Sequence, residues 1–362
     1  MKQILNKFMA VLVFTVLFFV ASTALIAGEG SSEPGAAVTP QIPANTAAQP
    51  RFNPWYLSAH PFGLLSMAEL IKLPPADKRM FWKLSTGYQY DTNAILNAIG
   101  APVPTNVAKK NDGRKMVNII GSYIPYRSQD HDYTLNYAFF NSNHDELDDF
   151  NLTQNMVELA GRWNLTKRRT LRYSTVYQHL LLGKKIFDEA LMTGPSLVYS
   201  SGHGHTTSID LRYRKTDYRN VSIFATNSNR TGHNWSGAVT HSIQVTPKRL
   251  VRVGYSYDVD HARTATWDGA GHKVSYETSY ILPNDMLFNC YNEYYRKDYD
   301  GLYMSIGGKR HDSSYTSITT LTKYFNEKYG VSLRTLWSRN WSNVAAFDMS
   351  RAIHGILIDT RF

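Results

Sequence analysis

From Met80 to the end of the chain, apolar and polar positions alternate with a period of two, in short segments divided by turn residues. The pattern predicts fourteen strands, at about 80–93, 114–127, 131–143, 151–165, 170–182, 191–200, 206–218, 233–244, 249–260, 271–282, 286–298, 311–324, 329–342 and 350–362. Several faces are distinct. Trp82, Leu84, Thr86, Tyr88 and Tyr90 share one side of the first strand. Val251, Val253, Tyr255, Tyr257 and Val259 share a side of the ninth, opposite Arg252, Gly254, Ser256, Asp258 and Asp260. Val274, Tyr276, Thr278, Tyr280 and Leu282 repeat this in the tenth, against Lys273, Ser275, Glu277 and Ser279.

The connections predict an alternation of lengths. Short ones are expected near 127–130, 166–169, 201–205, 246–248, 283–285 and 325–328. Longer ones are expected near 94–113, 144–150, 183–190, 219–232, 261–270, 299–310 and 343–349. One apolar face per strand, with short turns at one end and longer loops at the other, is the pattern of an outer-membrane barrel. The expected fold is therefore all-β: an antiparallel up-and-down transmembrane barrel of about fourteen strands, with a short N-terminal extension. A soluble β-sandwich would need polar outer faces, which these strands lack. Tyrosines and tryptophans near strand ends, among them Tyr88, Tyr126, Trp163, Trp235, Tyr280, Tyr294, Tyr329 and Trp341, are candidates for interfacial girdles.

The first residues change the compartment. Lys2 and Lys7 precede an apolar run from Phe8 to Val20, followed by small residues through Gly28. This is the pattern of an export signal covering 1–27, removed after Ala24 or Ala27; the alternative is a retained anchor. No later run approaches the ~18 apolar residues of a membrane helix. Only a closed barrel then satisfies every backbone group in lipid. Residues 28–50 read as a disordered linker by composition. Residues 51–79 read as a periplasmic lead-in with a short helix or plug, and 80–362 as the barrel. The last strand ends on Phe362, and Gly355, Ile358, Thr360 and Phe362 fit an assembly signal read by the barrel assembly machinery. An even strand count places both termini in the periplasm of a bacterial outer membrane.

Composition agrees. Aromatics make up 13% of the chain, led by 24 Tyr, and charged residues only 19%. Mean hydropathy is −0.35, as expected when lipid-facing and lumen-facing residues cancel. The lone Cys290 reads as a small apolar side chain, not a reactive thiol. A net charge of +10 suits anionic lipid or an acidic solute. The expected partners are outer-membrane lipid, the assembly machinery, and an exported lipoprotein or small solute; nothing points to nucleic acid or a cofactor.

Alternation places Asp210, Arg212, Arg214, Arg252, Asp258, Glu277, Glu293 and Arg334 in the lumen. There they either line a pore and set its ion selectivity or pair across the lumen and close it. Gly202-His203-Gly204-His205 reads as a turn, since no acidic or Cys ligand stands beside it. No His spacing singles out a nucleophile or acid, so a rim hydrolase is the least favoured reading and no catalytic residue is assigned. On these faces, Val253→Arg is expected to impair folding and Arg252→Ala to leave it intact.

The stretch Leu84-Ser85-Thr86-Gly87-Tyr88-Gln89-Tyr90-Asp91-Thr92-Asn93, with its Gly-x-x-Tyr-Asp-x-Asn phrase, resembles the opening strand of the barrel domain of surface lipoprotein assembly modifiers. Arg230 and Gly232, and the run Ser338-Arg339-Asn340-Trp341-Ser342-Asn343, are similar to phrases at matching places in that family. The resemblance spans about 80–362 and implies a barrel that carries lipoproteins across the outer membrane. Family members place a periplasmic helical-repeat domain before the barrel. Residues 29–79 are too short and too rich in proline for two 34-residue repeats. The sequence thus supports a channel or translocon-like exporter. The alternative is a sealed, partner-binding barrel docking an envelope or surface component.

Overall fold

The computed structural model describes residues 79–362, apart from 97, 102–108, 202, 203, 222, 223, 225, 304, 305, 327 and 362. The expected leader, linker and nearly all of the lead-in lie outside the described residues, as does Phe362 of the assembly signal. The strands are β1 (Met80–Asp91), β2 (Asp112–Arg127), β3 (His131–His144), β4 (Leu152–Thr166), β5 (Arg169–Leu182), β6 (Lys185–Ser200) and β7 (His205–Tyr218). They continue with β8 (Gly232–Thr246), β9 (Arg249–Ala262), β10 (Gly269–Leu282), β11 (Met286–Tyr303), β12 (Gly308–Tyr324), β13 (Tyr329–Ser342) and β14 (Met349–Arg361).

Each strand pairs antiparallel with its neighbours in sequence, and β14 returns to β1, so the sheet closes into a barrel. At the seam Leu84 pairs with Thr360, Tyr88 with Ile356 and Asp91 with Ile353. Closure leaves no edge strand with unpaired backbone groups.

Burial follows the period of two. In β1, Lys83, Ser85, Gln89 and Asp91 are buried, whereas Trp82, Tyr88 and Tyr90 between them are exposed. The outward face carries large apolar side chains: Leu159 is 63% exposed and Val274 58%. Tyr88, Tyr126, Trp235, Tyr280, Tyr294, Tyr329, Trp337 and Trp341 also stand outward and exposed. In β14, His354, Ile356 and Ile358 are exposed, and Ile353, Leu357 and Asp359 are buried. That strand's sequence alternation is blurred because two inward positions are apolar. Ile353 packs with Tyr291, Ile318 and Leu336. Leu357 packs in an apolar cluster with Met116, Leu180 and Phe187. Cys290 is half-buried on the outward face of β11.

Two connections expected to be long are tight. β6 begins at Lys185, leaving only Gly183-Lys184 to turn the chain, with φ of 56° and 66°. Two positive φ values match the right-handed twist of a hairpin, as in a type I′ turn. Asp188-Glu189 reads as loop in the sequence, but Asp188 is buried and accepts a hydrogen bond from Gln178 Nε2 at 2.8 Å. A register shift opposite Leu180 and Leu181 also breaks the alternation there. Likewise β11 runs on to Tyr303 and β12 starts at Gly308, because Lys297 and Tyr299 keep facing inward through a stretch rich in Asp and Gly.

Candidate functional site in the barrel lumen

Along β9 to β11 and at the β1–β14 seam the inward face is a wall of hydrogen-bonded charges, whereas Ile120, Met156, Val176 and Met192 form an apolar patch on β2, β4, β5 and β6. On β9 and β10, Arg252 Nη1 donates to Glu277 Oε2 at 2.6 Å. Lys273 on β10 stands 3.4 Å from Glu293 Oε2 on β11, which also accepts from the Tyr291 hydroxyl at 2.6 Å. Lys297 Nζ contacts Asp260 two strands away. Asn234 Nδ2 donates to Asp260 Oδ1 at 2.9 Å. Asp258 accepts from the Tyr295 hydroxyl at 3.1 Å. The seam has its own set. Lys83 Nζ lies 3.1 Å from Asp359 Oδ1. Arg351 Nε reaches both oxygens of Asp91 at 3.0 Å. Arg114 Nη2 donates to Gln89 Oε1 at 2.7 Å.

These pairs join neighbouring or next-neighbouring strands and lie along the wall. The expected alternative of pairing across the lumen is therefore not what the described ion pairs do. A cavity of about 820 Å³ remains inside the barrel, toward the end that carries the longer loops. Of the eight lumen candidates, Arg212, Arg214, Asp258 and Glu293 line it. Arg252 and Glu277 pair with each other outside it, and Asp210 accepts from Ser208 at 3.1 Å. Arg334 is buried on β13, opposite Gly355.

The cavity mouth is shaped by loops. Arg310 on β12 donates Nε to both oxygens of Asp312, at 3.0 and 3.1 Å. Its guanidinium lies 3.4 Å from the ring centre of Phe347, 4.3 Å from Tyr299 and 5.1 Å from Trp267. Arg230 stands 4.3 Å over Tyr218 and 5.1 Å from the same Trp267. Such contacts favour a partly desolvated guanidinium. On the other side, Leu96 and Phe224 pack from loops onto the cluster holding Phe187 and Leu180.

Sequence alternation also reaches Lys83, Asp91, Lys297, Arg351 and Asp359, but gives no sign of their partners. Arg230, Trp267 and Phe347 have no such signal, since loop folding alone brings them together. The stretches ending at Asn93 and starting at Ser338 fall at structural joints. Asp91 and Asn93 bind β14 residues Arg351 and Ser350. Arg339 and Asn340 hold the loop before β14 through Met349 and Phe347 carbonyls.

No family model matches the sequence, and no curated protein matches it either. Solved structures with a similar outline include Acinetobacter baumannii OccAB3, at 10% identity and a TM-score of 0.43, covering 80% of this chain and 100% of that one. A loop-deletion mutant of OmpT, an outer membrane protein of Vibrio cholerae, gives 7% identity and a TM-score of 0.45, covering 78% and 98%. A bacterial polysaccharide outer membrane secretin gives 9% and 0.42, covering 79% and 100%. The barrel assignment itself rests on the closed strand order.

His205 Nδ1 lies 3.3 Å from His241 Nε2, and among the described residues no group of three or more His, Cys, Asp or Glu is arranged to hold a metal ion.

Proposed function

We propose that this protein is a channel of the bacterial outer membrane, with both termini in the periplasm and the longer loops outside. The observation that carries this is the pairing of an apolar, aromatic outward face with a charged inward face whose ion pairs run along the wall and leave a cavity of about 820 Å³. Lipid suits the first surface and water the second. The lipoprotein exporter implied by the family resemblance is a narrower form of the same reading. It would use the same lumen for a cargo supplied from the periplasm.

A sealed, partner-binding barrel is the second reading. It is favoured by the apolar loop residues Leu96 and Phe224, packed onto the buried cluster that holds Phe187. Planar-bilayer recordings on the refolded full chain separate the two. Steady, stepwise current supports the channel, and a correctly folded but silent barrel supports the sealed form.

A further inference from the structure

We infer that the β7 side of the lumen is a binding station for small organic oxyanions, built by Arg212, Arg214 and Arg230. The inference deepens the channel reading and rests on it for solute access. It begins with the charge balance of the cavity. Asp260 is held by Lys297, Asp312 by Arg310, and Glu293 by Lys273 and Tyr291. Asp258 accepts from Tyr295 and Asn234. Three of these acids thus have a cation on the wall, and Asp258 has two neutral donors.

Arg212 on β7 and Arg230 in the loop after it are not matched in this way, and Arg214 is matched only loosely. Arg212 donates Nη1 to Ser174 Oγ at 2.8 Å and to the Gly194 carbonyl at 3.0 Å, both neutral. Its Nε is buried and has no hydrogen-bond partner among the described residues. Arg214 comes no nearer than 3.8 Å to Asp260, a carboxylate already engaged by Lys297. Arg230 contacts the Asn227 side chain, the Tyr218 hydroxyl and aromatic rings. Among the described residues, no carboxylate lies within ion-pair distance of Arg212 or Arg230. A half-buried guanidinium without an anion retains part of its desolvation cost.

Arg212 and Arg214 are two residues apart on one strand, so they project to one side roughly 7 Å apart. Arg230 lines the same cavity from the loop that follows β7. Guanidinium forks match carboxylate, phosphate and sulfonate oxygens. Trp267, Phe187, Phe224 and Met192 line the same cavity and offer an apolar seat for the body of the solute. The ligand class is therefore an oxyanion on an aromatic or apolar frame.

The test uses the refolded full chain in detergent micelles, with 1-naphthyl phosphate as probe, followed by titration calorimetry and tryptophan fluorescence. The probe should bind, and neutral 1-naphthol should bind at least tenfold more weakly. The double variant Arg212→Gln/Arg214→Gln should lose about tenfold or more, as expected for lost charge-assisted hydrogen bonds. Lys215→Gln, on the exposed outward side of the same strand, should change nothing. Heat-modifiable gel migration checks folding. Should the double variant fail to fold, Arg230→Gln in the loop carries the test, with the same loss expected. Absent binding, equal binding of the two naphthyl compounds, or arginine variants that bind like wild type overturn the inference. Titration needs no conduction. A barrel that binds but is silent in bilayers refutes the channel and keeps the station; one that conducts without binding does the reverse.

Discussion

Arg351 of the last strand donates Nε to both carboxylate oxygens of Asp91 on the first, each at 3.0 Å, in a fully buried position. With Lys83 and Asp359 at 3.1 Å, this pair fixes the seam by side chains as well as by the β1–β14 ladder. Removal of one member leaves its partner charged and buried. Asp91→Ala is expected to destabilise the barrel by ~3–5 kcal/mol because it strands Arg351 and also Arg114, whose Nη1 lies 3.7 Å from Asp91; the double exchange Asp91→Leu/Arg351→Met should cost less, since only Arg114 then lacks its carboxylate. Equilibrium urea unfolding in lipid vesicles, followed by heat-modifiable migration, measures both. Equal losses in the single and double variants would refute a seam role for the pair.

Val253 faces outward on β9, between inward-facing Arg252 and Gly254. Val253→Arg should cost ~2–4 kcal/mol if it sits near the middle of the bilayer. The sequence alone suggests that Arg252→Ala is harmless. The structure corrects that, because Arg252 is buried and its loss strands Glu277, 2.6 Å away. The proper lumen control is Ser256→Ala. The Ser256 hydroxyl is buried and without a partner, so its removal should leave the unfolding midpoint unchanged.

Gly87 meets Leu357 at the seam. A Cβ there would lie 2.0 Å from the Ile356 carbonyl oxygen and 2.9 Å from Leu357 Cδ2. Gly87→Ala should force the two strands apart, with a loss of ~1–3 kcal/mol. Slower appearance of the compact gel band during refolding would accompany it, and a wild-type stability would show that the seam yields freely.

Lys184 holds a φ of 66° in the β5–β6 turn. That conformation costs a side-chain-bearing residue about 1–2 kcal/mol. Lys184→Gly should therefore stabilise the barrel by about 1 kcal/mol, read as a higher urea midpoint; a lower midpoint would exclude the strain.

Strand number and face assignment were legible because an inward polar and outward apolar pattern is a local property, repeated every second residue. β9 and β10 follow it along most of their length. It failed at Asp188-Glu189 and at the stretch following Lys297, where charged residues mimic loop and a register shift interrupts the period. The candidate site was legible only in part. Arg212, Arg214, Asp258 and Glu293 could be placed on the inner face, but their partners could not.

The sequence by itself determined a chain of alternating strands with one apolar side, since side-chain direction along a strand depends only on position. Which charges meet was decided by the tertiary structure alone. The stagger of the strands sets Arg252 beside Glu277 and Lys297 beside Asp260, and closure brings Arg351 to Asp91 from the far end of the chain. Loop folding then carries Arg230, Trp267 and Phe347 to the mouth. Contacts between residues distant in the chain depend on stagger, closure and loop path, and no local pattern encodes these.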